Sequence, residues 1–254
     1  MKCAAASLLA FAAFISYGSA HYVFPHLVIN DTVSEQWQYV RDVLDQSGEI
    51  SPGYQAGKTP PLYFDTANFR CGRAIENWTT ETALVDAGDK MAFRVSKWDY
   101  RNTSNDGIIF HPGPAQVYMS RAPDDKLDSY KGDGEWFKIA YYGPMNDSLW
   151  TYGEDSAYWN KYINFTVPKT TPPGHYLIRV EQFMPYSKWL SEWFVNCAQV
   201  KVVGKGGGTP GPLVKFPEAY KATDPGIDIP PSFLTRPRSG LSQYIPPGPP
   251  IWQG

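Results

Sequence analysis

Apolar and polar positions alternate with period two in a series of short runs along this chain. After the Gly88-Asp89 turn, Lys90-Met91-Ala92-Phe93-Arg94-Val95 places every second side chain on one face, the pattern of a strand half buried in a sandwich. The runs Ala115 to Ser120, Trp136 to Tyr141, Tyr162 to Val167, Tyr176 to Glu181 and Trp193 to Val203 read the same way. Long Gly, Pro, Asn and Asp stretches at 48–61 and 99–114 separate them. No segment with a helical period extends beyond about two turns, and no internal repeat is present. The pattern predicts an all-β fold, an antiparallel sandwich with long loops. Gly204 to Pro212 reads as a flexible strap that leads into an extended segment to about Pro230. Residues 231–254 are rich in proline and lack periodic apolar positions, which predicts a disordered tail outside the folded domain of residues 21–230.

The start of the chain changes the picture. Lys2 is a positive n-region, Ala4 to Ile15 is an apolar run too short to span a bilayer, and Gly18-Ser19-Ala20 is a small-residue cleavage site. Residues 1–20 are therefore expected to be a signal peptide, His21 the first residue of a mature, secreted, extracellular protein. Cys3 leaves with that leader, and the remaining Cys71 and Cys197 form an even pair in an oxidising compartment, read as one disulfide across a long loop. Asn30, Asn77, Asn102, Asn146 and Asn164 each open an N-glycosylation motif. A formal charge of -2 without long runs of one sign excludes nucleic acid or an anionic membrane as the main partner. Nine Trp and seventeen Tyr exceed what a core of this size ordinarily consumes, so exposed rings able to stack on carbohydrate are expected. Tyr22, Tyr54, Tyr220 and Tyr244 are the candidates, each also readable as an ordinary surface or core ring.

An N-terminal histidine offers a metal both its α-amine and a ring nitrogen, and nitrogen ligands in a tetragonal arrangement favour Cu(II). His21 then needs a partner among His26, His111 and His175. His26 follows Pro25 and reads as a surface residue, and His175 beside Gly174 as a turn residue. His111 lies in Phe110-His111-Pro112-Gly113-Pro114, where two prolines of fixed φ hold an imidazole without a large ordering cost.

With His21-Tyr22-Val23-Phe24-Pro25, the His111-Pro112-Gly113-Pro114 loop leading to Tyr118-Met119-Ser120, and Pro172-Pro173-Gly174-His175-Tyr176-Leu177-Ile178-Arg179-Val180-Glu181, the chain resembles fungal lytic polysaccharide monooxygenases of auxiliary activity family 9, formerly glycoside hydrolase family 61. Cys197-Ala198-Gln199-Val200 and the stretch from Phe216 to Ile227 follow the same order, so the resemblance spans about residues 21–230. It implies an immunoglobulin-like sandwich and one copper ion in a brace of the His21 amine and ring and the His111 ring. A Cys71–Cys197 bridge agrees with it. The chain departs from the family's usual pattern around that metal. Tyr186 stands where a histidine is usual, Glu192 where a glutamine is usual and Phe194 where an axial tyrosine is usual. These three are the candidate residues acting beside the copper.

The resulting expectation is a monomeric, secreted copper monooxygenase that oxidises cellulose or hemicellulose with electrons from an external donor. A non-catalytic copper-binding protein on the same scaffold is the main rival, motivated by the altered surroundings of the metal. A glycosidase would need two carboxylates placed across a sugar ring, and the spacing of Asp99, Asp106 and Glu192 singles out no pair.

Overall fold

The computed structural model describes residues 22–44, 54–55, 67–74, 79–97, 107–154, 156, 160–185 and 191–254. Residues 1–20 (expected to be a leader), His21, Asn77, Asn102, Tyr186 and the side chain of Tyr54 lie outside the described residues. Twelve strands are present: β1 Tyr22–Ile29, β2 Thr32–Val33, β3 Val43–Leu44, β4 Tyr54–Gln55, β5 Arg73–Ala74, β6 Ala83–Asp86, β7 Lys90–Lys97, β8 Ala115–Arg121, β9 Phe137–Tyr142, β10 Tyr162–Thr166, β11 Gly174–Met184 and β12 Glu192–Val203. Among the described residues an α-helical turn, α1 Asn68–Cys71, and short 3-10 turns accompany them. They form an immunoglobulin-like β-sandwich. A four-stranded sheet of order β10-β7-β1-β2 faces a six-stranded sheet of order β4-β12-β11-β8-β9, with β6 added in parallel to β12. The small pair β3 and β5 stands apart.

All six strands predicted from alternation are present, and burial explains their readability. On β10, Ile163 and Phe165 are buried while Tyr162, Asn164 and Thr166 face outward, the half-buried pattern expected of a sheet with one wet face. The large sheet differs: β11 and β12 are buried along nearly their whole length. Between the sheets, Phe24, Leu27, Phe93, Val95 and Ile163 meet Val117, Ile178, Val180, Phe194 and Val200. On the far face of the large sheet a second core gathers Trp193, Leu177 and Phe183 with Phe69, Trp136, Phe216 and Tyr220. The segment after β12 thus roofs the sheet instead of hanging free, and the Cys71–Cys197 disulfide pins α1 under it. Closing a loop of 126 residues in the unfolded chain is worth about 4–5 kcal/mol in the chain-entropy account.

Two expectations from the sequence need correction here. Residues 231–254 are not a disordered tail. Phe233, Leu241 and Tyr244 bury around Trp150, with Tyr244 edge-on to its indole at 4.9 Å. The Asp147 carboxylate accepts from Gly240 N (3.0 Å) and Ser242 Oγ (2.6 Å). Further on, Lys138 Nζ donates to Pro247 O (2.9 Å) and Trp252 N to Lys138 O (2.8 Å). The prolines keep the segment extended, so its anchors fall at irregular spacing and show no period. His26, expected at the surface, is 6% exposed. It follows Pro25 at a register shift in β1, a bulge that turns the imidazole inward, and its Nδ1 lies 2.9 Å from Ser34 O.

Candidate metal centre

Three strand ends meet at one edge of the sandwich. β1 begins there with Tyr22, β12 begins with Glu192, and the 111–114 loop runs into β8. Strand β11 ends beside them, because it is antiparallel to both β8 and β12, with Gln182 opposite Phe194 and Ala115. Tyr22, His111, Gln182, Glu192 and Phe194, far apart in sequence, therefore come together for reasons of register alone.

The loop that carries His111 is gripped from two sides. A side chain at Gly113 would place its Cβ 1.9 Å from Phe183 O, so only glycine lets the loop lie against β11. On the other side a Cβ at Gly153, where φ is +123°, would come 2.4 Å from Pro112 Cα. Backbone hydrogen bonds from Glu154 N to Phe110 O (2.8 Å) and from Phe183 N to Pro114 O (3.2 Å) complete the grip. The His111 ring is presented at the surface edge with 11% of its side chain exposed.

His111 Nε2 lies 3.1 Å from Glu192 Oε2, whose side chain is 28% exposed. Phe194 stacks on the His111 ring at 5.3 Å between centroids, and Tyr22 stacks on Phe194 at 4.0 Å. Beneath the rings, Gln182 Nε2 donates to His111 O (2.9 Å) and to Phe183 O (3.3 Å), while Tyr22 OH donates to Gln182 Oε1. Burial holds the Tyr22 phenol far above its ordinary pKa, helped by the nearby Glu192 charge and opposed by a hydrogen bond with the His111 backbone. It is a proton donor throughout the physiological range.

Among the described residues no three His, Cys, Asp or Glu side chains converge as a ligand set. One imidazole nitrogen beside one carboxylate oxygen is half of a site. A fit to copper requires further nitrogen donors, and His21, the residue that precedes Tyr22 in sequence, lies outside the described residues. His111, Glu192 and Phe194 lie together at this edge, while Tyr186 falls outside the described residues. His175 is elsewhere, on β11 beside Asp125, with Nδ1 3.4 Å from Oδ1. The candidate stacking rings Tyr22, Tyr220 and Tyr244 are 1%, 3% and 8% exposed, so none of the three offers a flat face to carbohydrate. Sequence reasoning missed the part played by Gln182 and by the Tyr22 hydroxyl. Tyr22 lies in a matched segment and Gln182 directly after one, but nothing local ties residues 160 positions apart.

Residues 21–236 match the family model described as Auxiliary Activity family 9 (formerly GH61). The AA9 family lytic polysaccharide monooxygenase U of Thermothielavioides terrestris is 44% identical over 248 residues, covering 92% of this chain and 93% of its own. The AA9 family lytic polysaccharide monooxygenase D of Aspergillus tamarii is 38% identical over 253 residues, covering 98% and 86%. Among solved structures, the crystal structure of HiLPMO9B aligns with a TM-score of 0.68 at 21% identity, covering 92% of this chain and all of its own. The extended catalytic domain of H. jecorina LPMO9A gives 0.68 at 22%, covering 92% of each. At such identities the structural likeness speaks for the fold alone.

Proposed function

This chain belongs to auxiliary activity family 9, the lytic polysaccharide monooxygenases, and from that premise we propose that it is a secreted copper enzyme cleaving cellulose or a related β-linked polysaccharide oxidatively. In this reading the leader is removed before His21, whose amine and ring, with the His111 ring, hold one copper ion. A copper ion held there would supply redox chemistry toward oxygen, with electrons from an external donor, at the strong C–H bond beside a glycosidic link.

The chain's own residues have narrower tasks. The doubly gripped loop holds His111 ready, so little ordering cost falls on metal binding. Phe194 closes the face beneath the His111 ring with an apolar surface and brings no oxygen to it. Glu192 sets a carboxylate at the mouth, partly in water, where it can accept hydrogen bonds from oxygen species or substrate hydroxyls. The observation that carries the proposal is the His111 imidazole held at the edge where β1 begins, 6.2 Å between ring centroids from Tyr22, the residue that follows His21 in sequence. Passage through the secretory route would also expose the acceptor asparagines. Asn164 is the best placed, outward on β10 between Tyr162 and Thr166, whereas both amide atoms of Asn30 are engaged by Asp89 and Lys90.

The test is to express the full chain with its own leader, sequence the N-terminus, load one equivalent of Cu(II) and analyse products from cellulose, xyloglucan and xylan with ascorbate. Oxidised oligosaccharides from at least one glycan are expected. The presence of Phe194 and Glu192 beside His111 favours one rival, a non-catalytic copper-binding protein. A one-to-one copper complex that yields no oxidised sugar from any of these would establish it instead.

A further inference from the structure

We propose that Tyr22 and Gln182 act together as a positioning pair for His111, locking its backbone from beneath while Phe194 supports its ring. The inference rests on the copper reading above for its purpose, though its geometry stands without it. Strand β12 offers this edge a carboxylate and an apolar ring, and neither can fix the His111 main chain. Gln182 can: its Nε2 donates to His111 O at 2.9 Å, and its Oε1 is occupied by the Tyr22 hydroxyl. Gln182 thus joins the His111 main chain to the Tyr22 hydroxyl through one amide.

Both side chains of the pair are out of water, Gln182 at 0% and Tyr22 at 1% exposure. A buried amide is costly unless its groups are bonded, so the three partners constrain one another tightly. Tyr22 also spans the two sheets. It starts β1 in the small sheet, grips Gln182 on β11 in the large one, and lays its ring on Phe194. Since Tyr22 is bonded directly to His21, one side chain sets the spacing between the two segments that would share the metal. The pair does not touch the reacting atoms. Its role is to hold a ligand still.

The experiment compares the wild type with Tyr22→Phe, which keeps the ring stack and removes only the hydroxyl, and with Gln182→Met. Tyr176→Phe is the control, since the Tyr176 hydroxyl donates to Pro172 O (2.8 Å) at the far end of β11. Two readouts are taken: the Cu(II) paramagnetic resonance spectrum with copper affinity, and, without metal, the hydrogen exchange rate of the His111 amide. Tyr22→Phe and Gln182→Met are each expected to broaden the spectrum and weaken copper binding about 10-fold to 100-fold. The double variant should be no worse than the weaker single one, because the pair is one unit. His111 amide exchange should quicken in both variants and stay unchanged in Tyr176→Phe. If Gln182→Met does not fold, Tyr22→Phe carries the test alone. Unaltered spectra, affinity and His111 exchange in Tyr22→Phe would reduce the pair to ordinary core packing. Failure of the wild type to bind copper, with His111 exchange still quickened in Tyr22→Phe, would overturn the copper reading and leave the positioning pair intact.

Discussion

Glu181 and Gln182 are consecutive residues of β11, both without exposure, and they serve opposite faces of the large sheet. Glu181 looks into the outer core. It pairs with Arg179, accepts from Gln116 Nε2 (2.8 Å) and accepts from Tyr220 OH (2.5 Å). Arg179 in turn donates to Arg70 O (2.8 Å) and Phe69 O (3.0 Å), with its guanidinium 4.3 Å from the Phe216 ring centre. Gln182 looks toward the edge where Glu192 sits with 28% of its side chain exposed and the His111 imidazole as its neighbour. The two regions hold similar residue types, yet Glu181 is saturated with partners in a dry core, and Glu192 keeps acceptor capacity beside water. Saturation marks a polar cluster as structural, and spare capacity on a rigid support marks one that can do chemistry.

The contrast breaks most visibly on the outer face. Glu181→Ala leaves Arg179 as a buried charge without its counter-ion and should cost about 3–5 kcal/mol in urea unfolding. The copper resonance spectrum of the folded fraction should nevertheless match wild type, because that cluster does not reach the metal edge. A changed spectrum would merge the two regions and undo the distinction.

A smaller effect comes from Lys138, 2% exposed and 5.5 Å from the Tyr118 ring centre in the same outer cluster. Burial lowers its pKa to about 8, partly offset by the charge of Glu181. A lysine depressed below its unfolded value of about 10.4 binds fewer protons folded than unfolded in between, so stability rises with pH over that window. The penalty is fully present below pH 8 and vanishes above about 10.4. Relative to Lys138→Met, the wild type should gain about 2 kcal/mol between pH 7 and 9.5, read from paired denaturation curves. Parallel curves would mean that Lys138 is hydrated in the folded state.

The smallest change in stability is expected at the metal edge. Glu192→Gln should alter unfolding by less than about 0.5 kcal/mol, because the side chain is partly in water. Its charge should matter to the metal instead. A carboxylate near copper favours Cu(II) over Cu(I), so the variant's potential should lie higher by about tens of millivolts, measured by titration against redox dyes. Equal potentials would place Glu192 outside the electrostatic reach of the metal.

Much of this was legible in the chain. Period-two runs located β7, β8, β9, β10, β11 and β12, since a sheet with a core face imposes that alternation. The two prolines flanking Gly113 pointed to a rigid loop around His111. What stayed hidden has a common physical cause, which is pairing between distant segments. Strand β1 holds Pro25 in a bulge, so its alternation is broken. The Tyr22–Gln182 bond depends on register between two sheets. The anchors Phe233, Leu241 and Tyr244 sit at irregular intervals in a proline-rich segment, and only the position of Trp150 reveals what they pack against. Of the candidate stacking rings, Tyr22 and Tyr220 became walls of the two main cores and Tyr244 part of the cluster around Trp150.

The central claim is that the metal is held jointly by the first residue of the mature chain and by His111. It is tested most directly by copper titration of two proteins, one beginning at His21 and one with a single Gly placed before it. The extension leaves every described side chain untouched and removes only the chelating amine from its place. The account predicts one Cu(II) bound per chain in the first protein, and in the second an affinity lower by about 100-fold or more, with an altered resonance spectrum. Equal affinity and identical spectra in the two would contradict it.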